Sequence, residues 1–335
     1  MGIEDLGNCL SFLKTQYDPC PGKYCARSLI NSTNCIFSEC QKCERGYRSN
    51  KDYDLCLECN EHAKLYDYMY LLFMFNVTVI LHFYYIDKSF SNLKKKKNNL
   101  STKKIAIIYA LPLIECILSL CLSILVFPPF GSILLTSCNI NGMEDWYSVF
   151  YNPQVDYYNQ LNCTHEVVYP FYSLVMVFLL LVIFNMLLIR TVAKKFVFDN
   201  NIYNIFLNKS TFAALYFIPI LFLVHTIAGG IIYYTYPFAT IVGFLISNNF
   251  HLTSAFKENF QKSRIINSLK LLVNKRNLFI QLIHVYFYLF AIISLTKLQS
   301  VYDLLYLLCV PIPLVFFFIS YKHSDPKRLN WHWEQ

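Results

Sequence analysis

Charge is scarce in this chain, and the signatures of catalysis are absent. Only 15% of its 335 residues are charged while 56% are hydrophobic, more apolar surface than a water-soluble core of that size needs. There is no G-x-S-x-G elbow, P-loop, G-x-G-x-x-G turn or paired-carboxylate arrangement. His165-Glu166 opens like the zinc-protease motif H-E-x-x-H, but Tyr169 at the fifth position removes that reading. Neither an enzyme nor a bound cofactor is therefore expected. No charged n-region with an apolar run stands ahead of the first long apolar stretch, so that stretch is expected to direct insertion itself. The start Met1-Gly2-Ile3-Glu4-Asp5-Leu6 lacks the hydroxyl residue of a myristoylation signal. Lysine and arginine are missing altogether from Phe127 to Glu166, and that gap helps to orient the rest.

What is present is a series of bilayer-length apolar stretches. Helical spans fit at Tyr66 to Ile86, Ile105 to Val126, Val167 to Ile189, Leu278 to Thr296 and Leu304 to Tyr321. Aromatic residues make up 17% of the chain, and Tyr66, Tyr68, Tyr70, Tyr84 and Tyr85 bracket the first span as an interfacial belt would. The stretch from Phe212 to Ile246 is too long for one crossing of a hydrocarbon core of about 30 Å, and a reversal at Gly229-Gly230 is expected there. The net charge of +8 is interleaved with the apolar runs, which points to topology determinants and the lipid bilayer as partner, not nucleic acid.

Basic residues then decide orientation. Lys88, Lys94, Lys95, Lys96, Lys97, Lys103 and Lys104 follow the first span. Arg190, Lys194, Lys195 and Lys209 follow the third, and Lys257, Lys262, Arg264, Lys270, Lys275 and Arg276 precede the sixth. Every second connection is basic, which gives seven spans with the N-terminus lumenal and the C-terminus cytosolic. The expected fold is thus an all-α polytopic membrane protein with a small cysteine-rich, disulfide-stapled lumenal region over residues 1–65. A bundle over 66–321 would carry a lumenal segment 127–166 and cytosolic segments 87–104, 190–211 and 247–277, followed by a cytosolic tail, 322–335.

Eight cysteines crowd the first 59 residues: Cys9, Cys20, Cys25, Cys35, Cys40, Cys43, Cys56 and Cys59. The last four, spaced C-x2-C-x12-C-x2-C, would suit zinc in a cytosolic tail. In a lumenal tail, too small for a core of its own, they read as disulfides. Cys138 and Cys163 share the second lumenal segment and are candidates to pair with each other. Cys116, Cys121 and Cys309 fall within spans as packing thiols. Asn31-Ser32-Thr33 is the best placed glycosylation sequon; those at Asn76, Asn99 and Asn208 should be silent, and Asn162 sits almost against the third span.

Ionisable groups inside spans are the remaining functional candidates. Glu115 is the sharpest, since it should face the bundle interior and find a partner. His82, His225 and His284 lie on different spans without metal-ligand spacing and read as core packing. Lys262 to Arg276 forms a basic amphipathic pattern suited to anionic lipid or to a kinase docking groove.

One stretch is more specific: Asp145-Trp146-Tyr147, Tyr151-Asn152-Pro153, Cys163-Thr164-His165-Glu166 and Tyr169-Pro170-Phe171-Tyr172. With Ala213-Ala214-Leu215-Tyr216-Phe217, Pro219-Ile220-Leu221, Gly229-Gly230, Tyr233-Tyr234, Pro237 and the cysteine tail, it resembles the c-Jun N-terminal kinase-associated membrane protein family. The tail is more cysteine-rich than the family pattern, and Ala228 replaces the first of three glycines. The resemblance implies a seven-span, non-enzymatic protein of the endoplasmic reticulum membrane. Such an adaptor would serve protein quality control and the unfolded-protein response, recruit proteasome subunits and a membrane ubiquitin ligase, and prolong Jun kinase signalling. The competing readings are a seven-span receptor and a transporter or channel built around Glu115. The receptor reading is weakened by Pro311-Ile312-Pro313 where an Asn-Pro motif would stand, and the transporter reading by the lack of repeat symmetry.

Overall fold

A computed structural model describes residues 9, 16–31, 33–50, 52–91, 101–151, 163, 165–198, 201–257 and 274–320. Lys94 to Lys97, Asn99, Asn152, Pro153, Asn162, Thr164, the amphipathic pattern from Lys262 as far as residue 273, and the tail 322–335 lie outside the described residues. The chain divides into two compact units, Met1–Ile232 and Tyr233–Gln335.

In the first unit the cysteine-rich head is a set of short antiparallel pairs. Strand β1 (Cys25–Ala26) pairs with β4 (Gln41–Lys42), β2 (Leu29–Asn31) with β3 (Ile36–Phe37), and β5 (Tyr47–Asn50) with β6 (Leu55–Glu58). Gly46, at φ +84°, supplies the left-handed residue that the turn into β5 requires. The head's apolar centre is small, with buried Cys9, Phe37 and Leu55 flanked by Tyr17, Leu29, Tyr53 and Leu57, so covalent staples have to supplement burial. Strand β7 (Glu61–His62) then pairs with β8 (Thr136–Ser137), which belongs to the connection between two later helices.

Helices α1 (Leu65–Ser91), α2 (Thr102–Leu125) and α3 (Phe171–Phe196) follow, with α4 (Asn201–Lys257) entering from the far end. Ile86 and Phe90 of α1, Ile108 and Leu111 of α2, Ala193 of α3 and Phe206 and Leu207 of α4 form one buried cluster. The opposite faces, with Ile114, Ile117 and Leu122 on α2 and Leu180, Phe184 and Leu188 on α3, stay exposed and apolar. Such outward apolar surface is what lipid covers. Among the described residues five helices are long and apolar enough to cross a membrane, with a shorter apolar stretch at Val301–Phe317.

Three expectations need correction. The reversal at Gly229-Gly230 is not there: the backbone is helical through both glycines and on to Lys257. The glycines answer to a close packing contact, described below, and not to a turn. The connection placed at 190–211 shrinks to residues 197–200, because Asn208 and Lys209 are helical and Arg190 is buried in α3. The span placed at Leu304 to Tyr321 is broken into a 3-10 helix, Val301–Cys309, and α6, Ile312–Ser320. Pro311 and Pro313 lack the N–H groups and the permitted conformations that a continuous helix through them would need.

Within the second unit, the part of α4 beyond Tyr233 packs on α5 (Lys275–Thr296). Phe244 stacks on Phe287 with centroids 3.8 Å apart. A polar seam lies beside it: Gln281 donates to Asn248 at 3.0 Å, His284 Nε2 meets Ser247 Oγ at 3.1 Å, and the Tyr288 hydroxyl donates to the Phe244 carbonyl. Helix α5 ends at Lys297 in the left-handed region, and Ser300 with Asp303 forms a capping box for the 3-10 helix.

Candidate functional site

Among the described residues, two constellations collect several of the polar and family-motif side chains. The first joins the head to the connection between α2 and α3. Three disulfides, Cys9–Cys35, Cys20–Cys40 and Cys43–Cys56, close within the head. Two more leave it: Cys25–Cys163 and Cys59–Cys138, with sequence separations of 138 and 79. The expected pairing of Cys138 with Cys163 is thereby corrected. Pairing of β7 with β8 draws Cys138 towards Cys59, so both cysteines of the connection face the head instead of each other. Cys40, Cys43, Cys56 and Cys59 are all consumed in disulfides, Cys40 and Cys59 with partners outside that set and Cys43 and Cys56 with each other, which is incompatible with a tetrahedral thiolate site. Asn31 ends β2, and its Oδ1 accepts from the Thr33 amide at 2.9 Å and hydroxyl at 2.6 Å.

Asp145 is the electrostatic centre of this junction. It opens a kinked 3-10 helix, Met143–Tyr151, and is only 2% exposed. Its carboxylate accepts both Oδ contacts from Arg48 Nη2 at 3.0 and 2.9 Å, the Tyr24 hydroxyl at 2.9 Å and the Asn141 amide at 2.8 Å. Arg48 also donates to the Asn139 carbonyl, and Lys23 pairs with Glu144. Burial, reinforced by Asp145, pushes the Tyr24 phenol up from its ordinary value, so it remains a donor. One aspartate thus clamps two head residues to the connection through charge-assisted bonds.

The next residue, Trp146, explains the glycine pair. A Cβ on Gly230 would lie 2.7 Å from Trp146 Cβ and 2.8 Å from Tyr147 Cε2, while one on Gly229 would lie 3.2 Å from the indole. The indole sits edge-on to Tyr70 of α1. Behind it, His225 Nε2 donates to the Tyr172 carbonyl at 3.2 Å, which leaves Nδ1 to accept the Tyr70 hydroxyl at 3.1 Å. Gly230→Ala should therefore cost about 1 to 3 kcal/mol through overpacking against atoms that cannot swing away. Gly243→Ala, with nothing within 4 Å of the added carbon, should be neutral or stabilise by up to about 1 kcal/mol. Thermal melting of the purified protein in detergent distinguishes the two.

His165 and Glu166 serve structure rather than zinc. His165 Nδ1 donates to the Cys163 carbonyl at 2.9 Å, and the Glu166 carboxylate accepts the Ser173 amide at 2.7 Å together with its hydroxyl, capping α3. Burial holds His165 below its ordinary 6.5. The stability linked to its neutral ring is complete above pH 6.5 and is lost as pH falls through the depressed value. Glu166 is raised from 4.5 by burial and acts oppositely, losing stability as pH rises from there. Melting should fall on acidification below pH 6.5, and His165→Gln should flatten that fall.

The second constellation lies between the helices. Arg190 of α3 grips Glu115 of α2 with Nε to Oε1 and Nη2 to Oε2 both at 2.8 Å. Its Nη1 reaches Ser210 at 3.3 Å and Thr211 at 3.2 Å on α4, and Nη2 donates to His82 Nδ1 of α1 at 3.2 Å. Four helices meet on one guanidinium, and Asn185 adds a bond to Ser119 at 2.9 Å. Arg190 is 1% exposed and Glu115 wholly buried. Both carboxylate oxygens are engaged by the fork, so the arrangement is a fixed cross-brace. In sequence Arg190 looks like a loop residue because it follows the apolar run. Yet Val175, Leu179, Val182 and Met186 mark the buried face of α3, and Arg190 continues that spacing.

The family model described as "JAMP: JNK1/MAPK8-associated membrane protein" matches residues 20–326, which take in the head junction and the ion pair alike. The chain belongs to this family. Its similarity to the JNK1/MAPK8-associated membrane proteins of Mus musculus and Homo sapiens is 32% identity over 314 residues, covering 92% of this chain and 95% of each relative. The Caenorhabditis elegans homolog is 28% identical over 291 residues, covering 86% of this chain and 84% of its own length. No solved structure matches the chain. As a member of the JNK1/MAPK8-associated membrane protein family with apolar helices of spanning length, the protein is a multi-pass membrane protein.

Proposed function

We propose that the chain is a non-enzymatic adaptor of the endoplasmic reticulum membrane that links misfolded-protein quality control to the recruitment of proteasome subunits and a membrane ubiquitin ligase, and that modulates Jun kinase signalling. The observation that carries this reading is family membership over residues 20–326, with relatives named for association with the kinase JNK1/MAPK8. The disulfide-dense head supports a lumenal N-terminus, because five disulfides suit an oxidising compartment. On that orientation Asn31 is a glycosylation acceptor, and the basic connections after the first and third spans, with the tail 322–335, face the cytosol, where kinase and degradation machinery would dock. The engaged state of Glu115 favours the adaptor over a transporter, since the carboxylate is already committed to Arg190. The test is direct binding: full-length protein in detergent should retain purified Jun kinase on an affinity resin, and proteasome and ligase subunits should copurify with it from stressed cells. Absence of all three would overturn the reading.

A further inference from the structure

We propose that the loop after α2 and the 3-10 helix Met143–Tyr151 form an interfacial collar that seats the head on the bilayer, with lipid as the partner. The loop leaves α2 at Val126 and exposes Phe130 by 77%, Ile133 by 76% and Leu134 by 56%. They follow the exposed apolar residues Leu125 and Val126 at the end of α2, so the apolar surface runs on from a helix of membrane-spanning length. From Val126 to Met143 the chain holds no charged residue. Most of its backbone N–H groups are provided for as well, those of Phe130 and Ile133 excepted. The N–H groups of Phe127, Gly131, Ser132, Leu134, Leu135 and Thr136 are all bonded within the protein, and Pro128 and Pro129 have none to satisfy. A loop facing water or a polar partner needs no such economy, whereas one dipping among acyl chains does.

The 3-10 helix adds a second edge. Asp145, Trp146 and Ser148 face inward while Phe150 is 80% and Val149 55% exposed. Trp146 fixes its depth, since the indole rests on Gly229 and Gly230 beside Tyr70 and Tyr172, near the head-side ends of α1 and α3. An amphipathic segment held at that level lies in the plane of the headgroup boundary, where aromatic and aliphatic side chains gather.

The test uses the full chain in nanodiscs of phosphatidylcholine with or without bromine on shallow acyl carbons. Phe130→Trp and Phe150→Trp each add emission to that of the native Trp146, Trp331 and Trp333; Ile30→Trp, on the exposed edge of β2, is the reference. Unchanged melting temperature relative to the parent shows that each variant is folded. The added emission at 130 and 150 should fall by about half in brominated lipid, as expected for insertion into the acyl boundary, and resist iodide, with Ile30→Trp showing the reverse. Quenching at 130 and 150 by iodide but not by bromine overturns the proposal. Protection from both quenchers overturns it too, since a protein partner or a second copy would then cover the collar.

Discussion

Glu115→Gln should destabilise the first unit by about 3 to 5 kcal/mol, the loss expected when one partner of a buried ion pair is removed. The change strands the Arg190 guanidinium, which is 1% exposed and cannot shed its proton. Arg190→Leu should also destabilise, because it leaves the wholly buried Glu115 carboxyl without the fork that engages both of its oxygens. Removing both charges as Glu115→Leu with Arg190→Leu should recover part of the loss, since apolar replacement of a buried pair is often neutral. A double-mutant cycle by thermal or steric-trap unfolding in detergent measures this. Equal single losses that simply add would show that the pair is not coupled and that the four helices are held by apolar packing alone.

Removing both outward disulfides should release the head from the connection. In the chain-entropy picture, closures of 138 and 79 residues are worth about 4 to 5 kcal/mol each as upper values, because the inserted helices already confine the ends. The Asp145 clamp and the β7–β8 pair remain to hold the head, so Cys25→Ser or Cys59→Ser alone should loosen it only partly. The double variant should become sensitive to limited proteolysis between the head and α1. Cys9→Ser, which opens only a closure of 26 residues within the head, should leave the junction resistant. Uniform sensitivity in all variants would mean that the outward bonds carry no special role.

These two constellations differ in how far they were legible beforehand. A small cysteine-dense head before a hydrophobic span already called for staples, but pairing depends on which strands meet, and the two-residue pair β7–β8 leaves almost no pattern in sequence. The need of Glu115 for a partner followed from the cost of a carboxylate among apolar residues. The identity of the partner did not, because Arg190 sits one residue beyond the apolar run and counts equally well as a topology signal. Only its register with Val182 and Met186 on α3 separates the two meanings. At Gly229-Gly230 the sequence-level rule for a turn and the steric need for a bare backbone share one signature. The deciding atom, Trp146 Cβ, lies over 80 residues away along the chain. In sequence Asp145 and Trp146 carry only the family likeness, and their geometry supplies a physical reason for both: one clamps the head, the other wedges the connection against α4.

The stapled head should occupy the oxidising, lumenal side while partner binding falls to the other face. Protease protection in sealed microsomes, read together with endoglycosidase on the same sample, tests it most directly. The expected result is a protected head fragment whose mobility shifts with endoglycosidase and no longer shifts in Asn31→Gln, with the tail 322–335 digested. Digestion of the head in intact microsomes, with the tail protected, would contradict it.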